Sequence, residues 1–127
     1  MAPARLLIID DHDAVREALQ ARLDNASGLE VIGCTGCWKT GLQQTAELKP
    51  DVVLLETKRT DGQGLEALRS LTEQCPHTNV IVLTSYLDTG ERIQARRIGA
   101  VRYLLKDIDT PQLVRTIQAS LGPSLLI

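Results

Sequence analysis

Short apolar runs alternate with segments of helical period along this whole chain, and that alternation restricts the possible folds more than any other feature. Leu6-Leu7-Ile8-Ile9 is followed by Val15, Leu19 and Leu23 on one helical face. The pattern recurs as Leu29 to Thr35 with Cys37 to Leu48, and as Val52 to Leu55 with Leu65 to Gln74, with Pro50 and Pro76 as punctuation. It recurs again as Val80 to Leu83 with Asp88 to Ile98, which Gly99 stops. Last come Val101 to Leu105 and Thr110 to Leu121, with Thr110 as the expected cap, Pro111 in the first turn and Gly122 after the end. Strands that are apolar at consecutive positions are buried on both faces, which requires helices on each side of a parallel sheet. Right-handed crossovers then leave few topologies, so the expectation is a doubly wound five-stranded α/β domain of strand order 2-1-3-4-5. In such a sheet ligands bind beyond the carboxyl ends of the strands, where the winding reverses between strands 1 and 3.

With 127 residues, 43% of them hydrophobic, the chain suffices for one domain with a substantial core. A formal net charge of -2, from 14 basic and 16 acidic residues without a basic block, argues against a general electrostatic grip on nucleic acid. Aromatic residues are 2% of the chain and Phe is absent, so base-stacking platforms are not expected and the core must be aliphatic. No apolar stretch approaches the roughly 18 residues needed to span a bilayer, and Met1 to Arg5 leads straight into a strand, which gives a cytoplasmic expectation and no membrane partner. Cys34, Cys37 and Cys75 are odd in number. The C-x-x-C spacing of Cys34 and Cys37 keeps a redox switch open as a minor reading, against structural or incidental cysteines.

Polar residues fall at the carboxyl ends of four predicted strands: Asp10 and Asp11 after the first, Glu56 after the third, Thr84 and Ser85 after the fourth, and Lys106 after the fifth. Carboxylates converging from adjacent strands repel unless a hard cation lies between them, and Mg²⁺ favours a few carboxylates plus water and phosphate oxygens. Three acids against Lys106 leave two negative charges, the number one divalent ion cancels. An ammonium and a hydroxyl beside them are what a phosphoryl group requires, one as counter-charge and one as donor. The pocket therefore reads as a phosphate-signalling site.

These residues resemble the receiver domain of two-component response regulators, most like the NarL/FixJ (LuxR) type, over nearly the whole chain. The resemblance is carried by Leu6 to His12, Pro50 to Leu55, Gly64 to Leu68, Val80 to Thr84, Gly99-Ala100 and Tyr103 to Asp107, in the family's order. It implies a CheY-like fold and a non-enzymatic signalling role. It implies that Asp10 and Asp11 are the acidic Mg²⁺-binding pair, with Glu56 and the Lys58 backbone carbonyl completing the metal ligands. Thr84 and Tyr103 become the switch residues and Lys106 the phosphoryl-pairing lysine. A sensor histidine kinase is the implied partner, homodimerisation is possible, and DNA is reached only through a C-terminal helix-turn-helix domain. On this reading residues 1–122 are the receiver and 123–127 begin a linker. The surface carrying Glu91, Arg92, Arg96, Arg97, Arg102 and Arg115 is the expected output face.

Two departures from the family pattern stand out. Glu56 occupies the place of the phospho-accepting aspartate, and its extra methylene moves the acceptor oxygen by about an ångström or more, enough to impair in-line transfer. The next loop reads Arg59-Thr60-Asp61 in place of Met-Pro-Gly. Lys58 is expected to fold its ammonium over the acidic cluster and weaken Mg²⁺ binding. Glu and Asp carry the same charge, so any activation by Glu56 must come from reach: a longer carboxylate touching Lys106 or Thr84. Alternatives are a stand-alone receiver acting by protein interaction and a Mg²⁺-dependent phosphatase or phosphotransferase with Asp10 as nucleophile. His12 has no partner at metal-ligand spacing and is expected to face solvent. Trp38 is either an exposed contact residue or a lid over the sheet edge.

Overall fold

The two faces of each central strand belong to different cores, and this division organises the molecule. In the computed structural model, which describes residues 3–121, the strands are β1 (Ala4–Ile9), β2 (Leu29–Thr35), β3 (Val52–Leu55), β4 (Asn79–Thr84) and β5 (Arg102–Leu105). They alternate with α1 (Asp13–Asp24), α2 (Trp38–Leu48), α3 (Gly64–Gln74), α4 (Thr89–Ile98) and α5 (Thr110–Ser120). The sheet is parallel, in the order β2-β1-β3-β4-β5, as the apolar runs required. Side chains alternate across a strand. Leu6, Ile8, Val52, Leu54, Ile81 and Leu83 accordingly pack with Leu19 and Leu23 of α1 and with Leu113 and Ile117 of α5. The opposite set, Leu7, Ile9, Val53, Leu55, Val80 and Val82, packs with Ala67, Leu68 and Leu71 of α3 and Ala95 of α4.

Register aligns the strand ends that carry the polar residues: Ile9 pairs with Leu55, Leu55 with Val82, and Thr84 with Leu105. The helix boundaries follow local chemistry. Asp88 caps α4 by accepting the Glu91 N–H, and Gly99, at φ 135°, ends that helix in a conformation an L side chain rarely adopts. At α5 the expected cap is corrected by one residue. Asp109, not Thr110, is the N-cap, its carboxylate accepting the Gln112 N–H at 2.8 Å, with Thr110 and Pro111 inside the first turn. Gly122 and the expected linker segment 123–127 lie outside the described residues.

Candidate functional site

The pocket is assembled where β1, β3, β4 and β5 end side by side. Backbone bonds prolong the ladder past the strand ends: Glu56 N–H donates to the Ile9 carbonyl at 3.0 Å, and Lys106 N–H to the Thr84 carbonyl at 2.8 Å. Both central carboxylates are sealed from water, Asp10 and Glu56 each being 1% exposed. A charge buried so completely needs an opposite charge. Lys106 supplies it twice, its Nζ lying 2.5 Å from Asp10 Oδ2 and 3.0 Å from Glu56 Oε1. The other Glu56 oxygen, Oε2, accepts the Lys58 backbone N–H at 3.1 Å. Asp10 Oδ1 accepts the His12 N–H at 2.9 Å.

Thr84 is fully buried beside this group, and its hydroxyl has no hydrogen-bond partner among the described residues. Tyr103 is half-buried, with a hydroxyl likewise unpartnered among the described residues. Burial, with the Glu91 charge second, pushes its phenol up to about 12. Asp11 is turned toward the loop after β3, where its Oδ2 accepts from Thr60 N–H at 2.8 Å and Thr60 Oγ1 at 2.7 Å. Burial raises the Asp11 carboxyl, but these Thr60 hydrogen bonds and the Arg59 charge outweigh it and hold the group below its ordinary value.

Two expectations change, and one open alternative narrows. The Lys58 ammonium does not fold over the acids: Nζ lies 3.1 Å from Asp88 Oδ2 and 2.5 Å from Glu91 Oε2, at the start of α4. His12 is not simply solvent-facing, since its Nδ1 is 2.9 Å from Asp10 Oδ1 and 3.4 Å from Asp11 Oδ1. Trp38 is 8% exposed, belongs to the core that includes Leu7 and Ile9, and donates from Nε1 to Gln63 Oε1 at 2.8 Å, so it is not an exposed contact. Arg59 is buried and donates to the Gly36 carbonyl at 2.5 Å, and its charge still acts on Asp11. The thiols are free. Hydrogen bonds from Thr40 lower the Cys37 thiol, whereas burial raises that of Cys34, so the two do not form a matched low-pKa pair.

Two buried acids, a lysine between them and a buried hydroxyl at one edge of a 2-1-3-4-5 sheet agree with what the family comparison finds. The model of the response regulator receiver domain matches residues 6–118. The chain belongs to the response regulator receiver family. Its relatives include a transcriptional regulatory protein of Bacillus subtilis, YhcZ, described as uncharacterized, at 36% identity over 118 residues, covering 93% of this chain and 55% of the relative. The transcriptional regulatory protein LiaR of the same species is 34% identical over 116 residues, covering 91% and 55%. This receiver domain thus spans about half the length of the curated relatives it matches. Among solved structures, a LuxR-family two-component response regulator from Aurantimonas sp. SI85-9A1 is 25% identical with a TM-score of 0.85, over 94% of this chain and 86% of the other. The response regulator domain of Thermotoga maritima CheB is 26% identical with a TM-score of 0.82, over 94% and 96%.

Receiver domains typically bind Mg²⁺, and the donors present fit a divalent cation. One ligand atom each from Asp10, His12 and Glu56 lie within 4.8 Å of one another. Asp11 Oδ1 is buried with no hydrogen-bond partner among the described residues, which leaves an acceptor free for a metal ion. His12, which was not among the expected ligands, stands close enough to be a further donor, and Thr60 engages one Asp11 oxygen.

Proposed function

We propose that this receiver domain signals with reduced or no phosphoryl transfer, Glu56 standing permanently in the acceptor position and holding the pocket in a partly switched state. The observation that carries the reading is the 3.0 Å contact of Glu56 Oε1 with Lys106 Nζ. A phosphoryl group on an acceptor needs two partners here, an ammonium and a hydroxyl donor. Glu56 already occupies the first. Thr84, the second, is left without a partner among the described residues, so the longer carboxylate substitutes for only part of a phosphoryl group. Asp10, Asp11 and Glu56, with the Lys58 carbonyl, would hold Mg²⁺, which when bound cancels charge among the acids. His12 is a further donor beside them.

The phosphatase alternative needs Asp10 as nucleophile, but its Oδ1 is engaged by the His12 N–H and its Oδ2 by Lys106. A NarL/LuxR-type transcription regulator fits the relatives' descriptions as transcriptional regulatory proteins. Within it, residues 1–122 are the receiver, 123–127 begin a linker, a sensor histidine kinase or another protein supplies the signal, and a C-terminal domain contacts DNA. The groove of about 420 Å³ between α4 and β5, which includes Arg92, Arg96, Arg102 and Tyr103, belongs to the output face.

The test treats wild type, Glu56→Asp and Glu56→Gln with acetyl phosphate or beryllofluoride, followed by intact mass and oligomer size. Expected is phosphoryl uptake by Glu56→Asp, little or none by wild type, and altered assembly in Glu56→Gln, which has lost the anion facing Lys106. Stoichiometric uptake by wild type, or assembly indifferent to both substitutions, overturns the reading.

A further inference from the structure

Lys58 touches both the acceptor-position carboxylate and the start of α4, through different atoms. Its backbone N–H donates to Glu56 Oε2 at 3.1 Å, two residues back in the chain. Its ammonium reaches across a groove of about 580 Å³, lined in part by Thr57, Asp88, Gly90 and Glu91, to the N-cap of α4 thirty positions later. There it meets three groups: Asp88 Oδ2 at 3.1 Å, Glu91 Oε2 at 2.5 Å and the Tyr86 ring, 5.1 Å from Nζ to the centroid. Two of these partners also build the helix terminus. Asp88 Oδ1 caps α4 by accepting the Glu91 N–H at 3.0 Å.

The rest of α4 has little else to hold it. Ala95 is its one buried residue, near the other end, while Ile93 is exposed, and Tyr86 and Leu87 before the helix are exposed too. An element with few buried apolar contacts opens locally at low cost, so a charge-assisted anchor at its first turn has a large share in fixing its position. Glu91, whose side chain is 10% exposed, needs a cation where it lies, and the one beside it belongs to the residue that also holds Glu56.

We propose that Lys58 is a positioning residue that couples the Glu56 carboxylate to the N-terminal turn of α4. The Glu56 bond fixes the loop after β3, the fixed loop delivers the ammonium to Asp88 and Glu91, and the helix terminus is placed without a phosphoryl group. The proposal rests on the reading of Glu56 as a permanent acceptor-position acid.

Amide hydrogen exchange of the folded chain tests it. Lys58→Met, which keeps the backbone N–H and removes the ammonium, should accelerate exchange in residues 86–94 by about threefold to tenfold, leaving β1, β3 and α1 unchanged. Lys58→Arg should restore protection, and Glu91→Gln, whose change lies outside the acid pocket, should reproduce the acceleration. Coupling is read from Glu56→Ala, which should loosen 86–94 in the wild-type background and add nothing in the Lys58→Met background, an effect a merely structural salt bridge would not give. Unchanged exchange in Lys58→Met and Glu91→Gln, or additive effects of Glu56→Ala and Lys58→Met, overturns the proposal. Either result is independent of phosphoryl uptake by wild type and Glu56→Asp, so failure of the coupling is distinguishable from failure of the acceptor reading.

Discussion

Glu56 is one methylene longer than an aspartate, and its two oxygens meet different neighbours. Charge is the same for both acids. Oε1 meets the Lys106 ammonium, Oε2 accepts the Lys58 N–H, and the Thr84 hydroxyl has no hydrogen-bond partner among the described residues. Tyr103, which the resemblance alone offers as a switch residue, has its phenol raised from 10 to about 12, by burial first and by Glu91 second. The folded state therefore holds that proton more tightly than the unfolded chain does. The stability involved is fully present below pH 10 and is lost as pH rises toward about 12. Tyr103→Phe should remove a phenolate absorbance step near pH 12 and flatten the fall of stability between pH 10 and 12, measured by absorbance titration and by urea unfolding at each pH. A step unchanged in Tyr103→Phe would assign it elsewhere.

Elements join at points where space is the deciding quantity, and the start of α3 is the tightest. A Cβ built on Gly64 would lie 1.9 Å from the Thr57 carbonyl oxygen and 2.6 Å from its carbon, against backbone that cannot swing aside. Gly→Ala in a helix ordinarily gains up to about 1 kcal/mol from propensity. Here the clash is the larger effect, and Gly64→Ala should destabilise by about 2 kcal/mol or more in urea unfolding, because α3 must shift off the acceptor loop. Asp109→Ala at the α5 cap should cost about 1 kcal/mol in the same measurement. The elements themselves were legible in the sequence because β1, β3 and β4 carry buried apolar residues at consecutive positions, a pattern that a sheet covered on both sides explains. The α5 cap was misplaced because Asp109 and Thr110 are adjacent and both of capping type, and only backbone geometry separates them. The convergence of Asp10, Glu56, Thr84 and Lys106 was legible as well, since strand order alone brings those ends together. The direction of Lys58 was not. Its partners Asp88 and Glu91 lie thirty or more positions away, on a helix whose orientation depends on packing, and no local pattern links them. His12 was misjudged because a side chain next to a pocket can turn in or out, and here its ring turns back onto the neighbouring acids.

At the scale of the whole molecule, two aliphatic cores hold the sheet from either side while the carboxyl edge carries a cluster of charge nearly cut off from water. Hydrophobic burial stabilises the fold, and that edge opposes it unless its charges are matched. Asp10 and Glu56 share Lys106, the one cation within ion-pair distance of Glu56 among the described residues, and the one other such contact of Asp10 is His12, which is charged only when protonated. Lys106→Met keeps most of the volume and removes the ammonium, leaving two buried carboxylates facing each other. Breaking a buried pair in this way costs about 3–5 kcal/mol. With a urea dependence of about 1–3 kcal/mol per molar for a domain of this size, the midpoint should fall by about 1 M or more. A divalent ion can take over part of the missing charge. Mg²⁺ at about ten times its dissociation constant returns about 1.4 kcal/mol by mass action, and since Lys106 no longer competes for the same oxygens, the gain should be larger in the variant than in wild type. Paired urea titrations of both proteins with and without millimolar Mg²⁺ measure the difference directly. Equal Mg²⁺ stabilisation of the two would show that the ion and the Lys106 ammonium do not share those carboxylates.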